Sequence, residues 1–313
     1  RWVTALSASR ETDARRPPEL STRDNVARAI YTEVKEGRGS QHGGVFLDIS
    51  YLPPDHVRRK LPSMYEQFKE LADVDITTGP MEVGPTTHYM MGGIRVVADT
   101  GATTVPGLFA AGEVAGGMHG ANRLGGNSLS DLLVFGARTG AGAAAHAAGV
   151  EVRPYMNPLE VDGALRDLDA PLERPDGEDP YAIQRDLQAT MQSLVGIFRV
   201  AADLDEAIRR LAELRTRWAN VRVAGGRAFN PGWNLAFELR NLLVVSEAIA
   251  RSARQREESR GAHSRIDFPD ADDATWGGRN SVVARRPDGS MAVSTTPLPT
   301  MDGELRELVG IGH

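Results

Sequence analysis

Cysteine is absent from this 313-residue chain, which excludes disulfides, thiol catalysis and any iron–sulfur cluster ligated by its own cysteines. No run of about eighteen apolar residues occurs, so no transmembrane helix is expected. The seven histidines are scattered, without a His-x-x-x-His pair or similar spacing, and no metal site is expected. Positive charge is not in excess either: a formal net charge of −6 argues against non-specific nucleic-acid binding. The sequence contains no Gly-x-Gly-x-x-Gly strand–turn–helix, the turn that binds a dinucleotide pyrophosphate, and no internal repeat. It opens on Arg1 without a basic-then-apolar leader, and is expected to be a piece of something longer.

What is present suffices for a real core and more than one domain, since 41% of residues are hydrophobic and 25% charged. Residues 1–20 read as a weakly structured lead-in with an Arg-Arg-Pro-Pro stop. Ser21 and Asp24 have capping-box spacing, and Ala27, Ile30, Tyr31 and Val34 follow at helical spacing, with Gly37 and Gly39 ending the helix. Residues 43–49 alternate into a short strand. Ser63 and Glu66 repeat the capping box and predict a helix through Ala72. Residues 94–97 and 105–111 are strand-like, and a long helix dense in Ala and Gly begins at Asn127, suited to close packing against a sheet or a cofactor. Residues 155–180 are proline- and acid-rich and read as a linker. Three helices follow, with Leu187, Met191, Leu194, Val195 and Phe198 on one stripe and Leu204, Ile208, Leu211, Leu214 and Trp218 on the next. The third is expected over about 234–258. The tail from His263 is expected to hold short strands and turns.

The chemistry concentrates in two runs, His-Tyr-Met-Met-Gly-Gly at 88–93 and His-Gly-Ala-Asn-Arg-Leu-Gly-Gly-Asn-Ser-Leu at 119–129. They set an imidazole and a guanidinium beside glycine turns that admit a flat ligand, just before a helix. A helix N-terminus carries free amide donors and about half a positive charge, so it favours an anion; an ordinary capped turn has the same look. Arg123 could bind a carboxylate with its planar fork, or lie on the surface. His88 and His119 read equally as structural histidines. Glu113, after an apolar strand-like run, could accept hydrogen bonds from a ribose or ribityl hydroxyl. Arg23 is unusual because a cation in a first turn opposes the helix dipole. It is either a solvated surface arginine or one placed to exchange a proton. His263, in Arg260-Gly261-Ala262-His263, reads as part of a structural or interface loop.

As an ordered set these motifs are more specific than any one of them. Thr-Arg-Asp at 22–24, the runs at 88–93 and 119–129, and Gly-Leu-Phe-Ala-Ala-Gly-Glu at 107–113 resemble the flavoprotein subunit of succinate dehydrogenase and fumarate reductase. Residues 183–199 and 258–263 look like that family's helical domain and the entry to its C-terminal domain. The resemblance implies a mixed α+β fold: part of a substrate-capping domain over 1–81, the C-terminal part of an FAD-binding α/β domain over 82–150, a linker and helical domain of three long helices over 151–260, and a small mixed C-terminal domain over 261–313. It implies that His88 and Arg123 hold the carboxylates of succinate or fumarate and that Arg23 transfers the proton. Glu113, Asn127, Ser128 and Leu129 would line FAD, the backbone at 128–129 facing its pyrimidine edge. An iron–sulfur subunit is the implied partner, membrane-anchor subunits would associate indirectly, and the site of action would be the cytoplasmic face of a membrane, held peripherally. The family's pyrophosphate turn, its covalent flavin attachment histidine and the rest of its dicarboxylate site belong to an N-terminal half that this sequence lacks.

Two rival readings remain. L-aspartate oxidase has a similar His-Tyr and His-Gly-Ala-Asn-Arg layout, although Met90-Met91, Gly125-Gly126 and the long region past His263 favour succinate dehydrogenase. The other is a non-catalytic fragment that docks an iron–sulfur partner.

Overall fold

The computed structural model describes residues 23–152, 155–301 and 303–304. The expected lead-in and the capping serine Ser21 lie outside the described residues. The chain divides between Met90 and Met91 into two units, each with its own packing.

In the first unit, helix α1 spans Arg23–Lys35. Asp24 accepts from Arg28 one turn on, at 2.6 Å. Gly37, with φ +78°, follows the helix where expected. Strand β1 (Val45–Leu47) pairs antiparallel with β2 (Met81–Val83), Phe46 opposite Glu82. Between them lie α2 (Pro54–Lys60) and α3 (Pro62–Ala72). The Ser63 capping box is not used: α3 opens at Pro62, and no side chain caps it. Proline suits the first helical position because its φ is already helical and its missing N–H would have no partner there. Val57, Ile76 and Met81 form the small core, with Tyr65 and Phe68 packed against it.

The second unit contains α4 (Asn127–Ala148), α5 (Pro158–Glu173), α6 (Pro180–Leu194), α7 (Ala201–Trp218) and α8 (Pro231–Gln255). Helices α6, α7 and α8 pack on one another, with the stripes read from the sequence facing inward. Leu204 and Leu239 are fully buried, and Leu187, Leu211, Leu214 and Leu243 lie beside them. Each such leucine stabilises by about 1.5–3 kcal/mol. The expected linker over 155–180 is corrected, because it contains α5. Pro158 lies in the first turn behind the cap Asn157, where a helix tolerates proline, and Pro171 lies inside the helix near its end, at the cost of one backbone bond. Strands β3 (Arg279–Arg285) and β4 (Met291–Pro297) form the C-terminal hairpin, Val283 opposite Val293, and rest against α8. The strand-like runs at 94–97 and 105–111 are also corrected: they make only isolated bridges, Ile94 with Ala115 and Ala102 with Phe109. Among the described residues no helix is long and apolar enough to cross a membrane.

Candidate functional site

The second unit assembles most of the predicted residues around the N-terminus of α4. Residues 97–110 form an irregular hairpin, closed by Val97 N–H to Ala102 O at 2.9 Å and Thr103 N–H to Leu108 O at 3.0 Å. The small-residue face of α4 packs on this hairpin. A Cβ on Gly142 would lie 2.4 Å from Thr100 O, and His146 meets Phe109 edge-on with ring centroids 5.7 Å apart. The density of Ala and Gly therefore serves helix-to-hairpin packing.

Beyond the hairpin the chain turns through a short 3-10 segment, Gly112–Val114, which carries Glu113 on the surface. Two backbone bonds fix this segment: Ile94 N–H to Val114 O at 2.7 Å and Gly116 N–H to Ile94 O at 2.9 Å. Gly93 lies in the contact, and a Cβ there would be 2.2 Å from Val114 O. The backbone contact by itself requires glycine at that position.

Gly125 and Gly126, in contrast, face open space: an added Cβ would meet nothing within 4 Å. Gly126 has φ +85° and precedes α4 without a side-chain cap. Ser128 and Leu129 follow in the first turn, where amides have no acceptor within the helix. Leu129, Leu132, Leu133 and Val134 are exposed, and the sole buried residue of α4 is Asp131. Asp131 Oδ2 lies 3.3 Å from His119 Nε2, which anchors the start of the loop. Arg123 is half-buried and donates through Nη1 to Leu124 O at 3.2 Å.

Arg23 and His88 belong to the first unit. Arg23 is an exposed residue in the first turn of α1, and His88 is exposed in an irregular stretch after β2. Among the described residues no group of three or more metal-ligating side chains comes together.

Sequence reading misses a second, buried cluster behind the loop. Arg199 Nη1 donates to His263 Nδ1 at 2.8 Å, and His263 Nε2 lies 3.0 Å from Arg256 O. A guanidinium only donates, so Nδ1 accepts, and Nε2 carries the proton given to Arg256 O. Burial pushes the His263 imidazole down to about 4, and the neighbouring Arg199, Arg265 and Arg256 charges add to that shift. Burial, and then the Arg265 charge, also lower Arg199. Glu258 is fully buried; burial pushes its carboxyl up, but bonds from Arg260, the Asp272 amide and Arg256 outweigh this and hold it at about 2. The signals of this cluster in the sequence are the runs 183–199 and 258–263, which contain Arg199, Glu258 and His263 but do not show that they meet.

Against known proteins, residues 9–129 match the family model described as FAD binding domain, and residues 184–307 match fumarate reductase flavoprotein C-term. The fumarate reductase flavoprotein subunit of Mycobacterium tuberculosis is 38% identical over 294 residues, covering 90% of this chain and 50% of the relative. The succinate dehydrogenase flavoprotein subunit of Coxiella burnetii is 38% identical over 301 residues, covering 90% of this chain and 51% of that protein. The solved structure of Mycobacterium smegmatis Sdh1 in complex with UQ1 superposes with a TM-score of 0.84 at 52% identity, covering 95% of this chain and 50% of that one. This chain belongs to the succinate dehydrogenase and fumarate reductase flavoprotein family. It spans about half the length of the curated relatives it matches. The mixed fold expected from the family resemblance is the one observed.

The matched FAD-binding model indicates FAD as the family cofactor. The open glycines, the uncapped α4 N-terminus and the exposed Glu113 suit the electron-rich edge of a flavin and the hydroxyls next to it. This region fits one wall of such a site.

Proposed function

We propose that this chain supplies part of an FAD-dependent enzyme that interconverts succinate and fumarate. The observation that carries the reading is the uncapped, glycine-fronted N-terminus of α4, with Arg123 in the adjoining loop. When bound, the flavin supplies the acceptor for the two electrons that leave the substrate as hydride. The α4 amides at Ser128 and Leu129 would face the flavin's pyrimidine edge, Asn127 would line it with them, and Glu113 would take its hydroxyls. Arg123 would grip one substrate carboxylate through two parallel N–H donors, and His88 would hold the other, both fixing and polarising the substrate. Arg23, as the neutral guanidine, would accept the proton that leaves the substrate's other carbon and become guanidinium. Succinate thereby loses a hydride and a proton and becomes fumarate.

Relatives named as flavoprotein subunits support a place for this chain within a larger complex; the family resemblance adds an iron–sulfur subunit as electron acceptor and a peripheral position at the cytoplasmic face of a membrane. The test is Arg123→Ala in the complete flavoprotein. Breaking one side of a buried ion pair costs about 3–5 kcal/mol, so dicarboxylate affinity should fall at least a hundredfold while flavin content stays near normal. Unchanged affinity would remove Arg123 from the substrate site. Preferential turnover of L-aspartate would favour the oxidase reading, and neither flavin binding nor turnover would leave only the docking role.

A further inference from the structure

The reach of Arg123 depends on a loop that hydrogen bonds secure at two points. At its start, His119 is tied to Asp131, with side chains 11% and 3% exposed. In its middle, Ala121 O accepts from Ala262 N–H at 3.0 Å. Ala262 sits at the tip of a tight turn closed in both directions, Arg260 N–H to His263 O at 2.9 Å and His263 N–H to Arg260 O at 3.1 Å. Gly261 in that tip has φ +59°, and a Cβ on it would lie 2.5 Å from Ala121 O. The turn is pressed onto the loop two residues before Arg123.

The turn is held from behind by Arg199. Its Nη1 donates to His263 Nδ1 at 2.8 Å, while its Nε donates to Val195 O at 3.0 Å and Gly196 O at 3.1 Å, just past the end of α6. Its backbone also bonds on both sides, N–H to Ser264 O at 3.1 Å and O from Ile266 N–H at 2.9 Å. One arginine thus links the helical bundle, the turn and, through the turn, the loop.

The geometry points to Arg199 and His263 as positioning residues for Arg123, acting through the Gly261–Ala262 turn on Ala121. The inference rests on Arg123 being a carboxylate ligand, as proposed above. Neither residue touches substrate; they set where the guanidinium starts from. Around metal sites, the loss of contacts that orient a ligand costs about 10- to 100-fold, and the same scale is expected here.

The test uses the complete flavoprotein and the affinity for a non-reacting dicarboxylate, followed by the flavin absorbance change. His263→Ala removes the link to Arg199, and Gly261→Ala independently drives the turn off Ala121. Each should weaken dicarboxylate binding about 10-fold or more with flavin content retained. Each should have no further effect once Arg123 is already alanine, because the positioned group is gone. An equal loss in the Arg123→Ala background would make the cluster merely structural and overturn the inference. So would unchanged affinity in both single variants, or loss of flavin from both. If Arg123→Ala itself binds dicarboxylate normally, the carboxylate-ligand reading fails instead; if it loses affinity and the other two do not, only the positioning inference fails.

Discussion

Replacing Gly93 by alanine tests whether backbone contact or ligand access explains the paired glycines at 92 and 93. Both have positive φ, +93° and +151°, and a side chain at either costs about 1–3 kcal/mol of strain. Only Gly93 is also enclosed, with Val114 O 2.2 Å and Gly116 N 3.0 Å from the added Cβ, whereas nothing lies within 4 Å of a Cβ on Gly92. Backbone atoms cannot swing aside as a side chain can. The alanine must therefore break the bonds that Ile94 makes with Val114 and Gly116, each worth about 1 kcal/mol net. Gly93→Ala should then cost about 2–3 kcal/mol more than Gly92→Ala. Native-state hydrogen exchange reads this directly. Protection of the Ile94 and Gly116 amides should fall roughly 30- to 150-fold further in Gly93→Ala than in Gly92→Ala. Equal losses in the two variants, or full protection at both amides in Gly93→Ala, would refute the close-contact reasoning.

Three other outcomes are expected. Arg23→Lys in the complete flavoprotein should keep dicarboxylate affinity and lose most turnover, because lysine is shorter and lacks the planar fork; parallel losses of binding and rate would make Arg23 a second carboxylate ligand. His263 is held neutral in the folded protein, with its pKa down from 6.5 to about 4, so the unfolded chain binds the extra proton first as pH falls. Its contribution is fully present above about pH 6.5 and is lost toward pH 4, about 3 kcal/mol in all; unfolding at a series of pH values should show a flatter slope over this window for His263→Gln, and an unchanged slope would refute the assignment. With the α4 N-terminus as one proposed flavin wall and no pyrophosphate turn in its sequence, the 313-residue chain by itself should purify colourless and reduce no dye with succinate; a yellow, active preparation would point to a different flavin site.

The helical bundle is legible in the sequence because its apolar period is strong: Leu187, Leu204, Leu211 and Leu214 repeat at helical spacing and are buried. Helix α5 is hidden because composition speaks for a linker: Pro158 is tolerated at the helix start, and Pro171 reads as a breaker although the helix continues through it. Ile94, Val96 and Val97 read as a strand from propensity, yet here only Ile94 finds a bridge partner, since strand identity depends on what lies alongside. At the site, the loop sequence reveals Arg123 and the α4 N-terminus. It cannot reveal that His119 meets Asp131 or that Arg199 meets His263, because the choice of partner is made by tertiary packing. The two glycine pairs read alike in sequence, but the fold encloses Gly93 and leaves Gly125 and Gly126 open.

The bond between Ala262 and Ala121 joins segments with helices α4 to α8 between them, and this bears on the order of folding. Closing so long a loop is entropically costly and gains little until both ends are already structured. The local pairings of α6, α7 and α8 can form early. The loop carrying Arg123 acquires its final shape only after the bundle has delivered the Arg260–His263 turn to it. A ribosome releasing this chain would therefore complete the loop carrying Arg123 long after synthesising it, and slowing the docking of the C-terminal segment should delay the Ala262–Ala121 bond more than it delays helix formation.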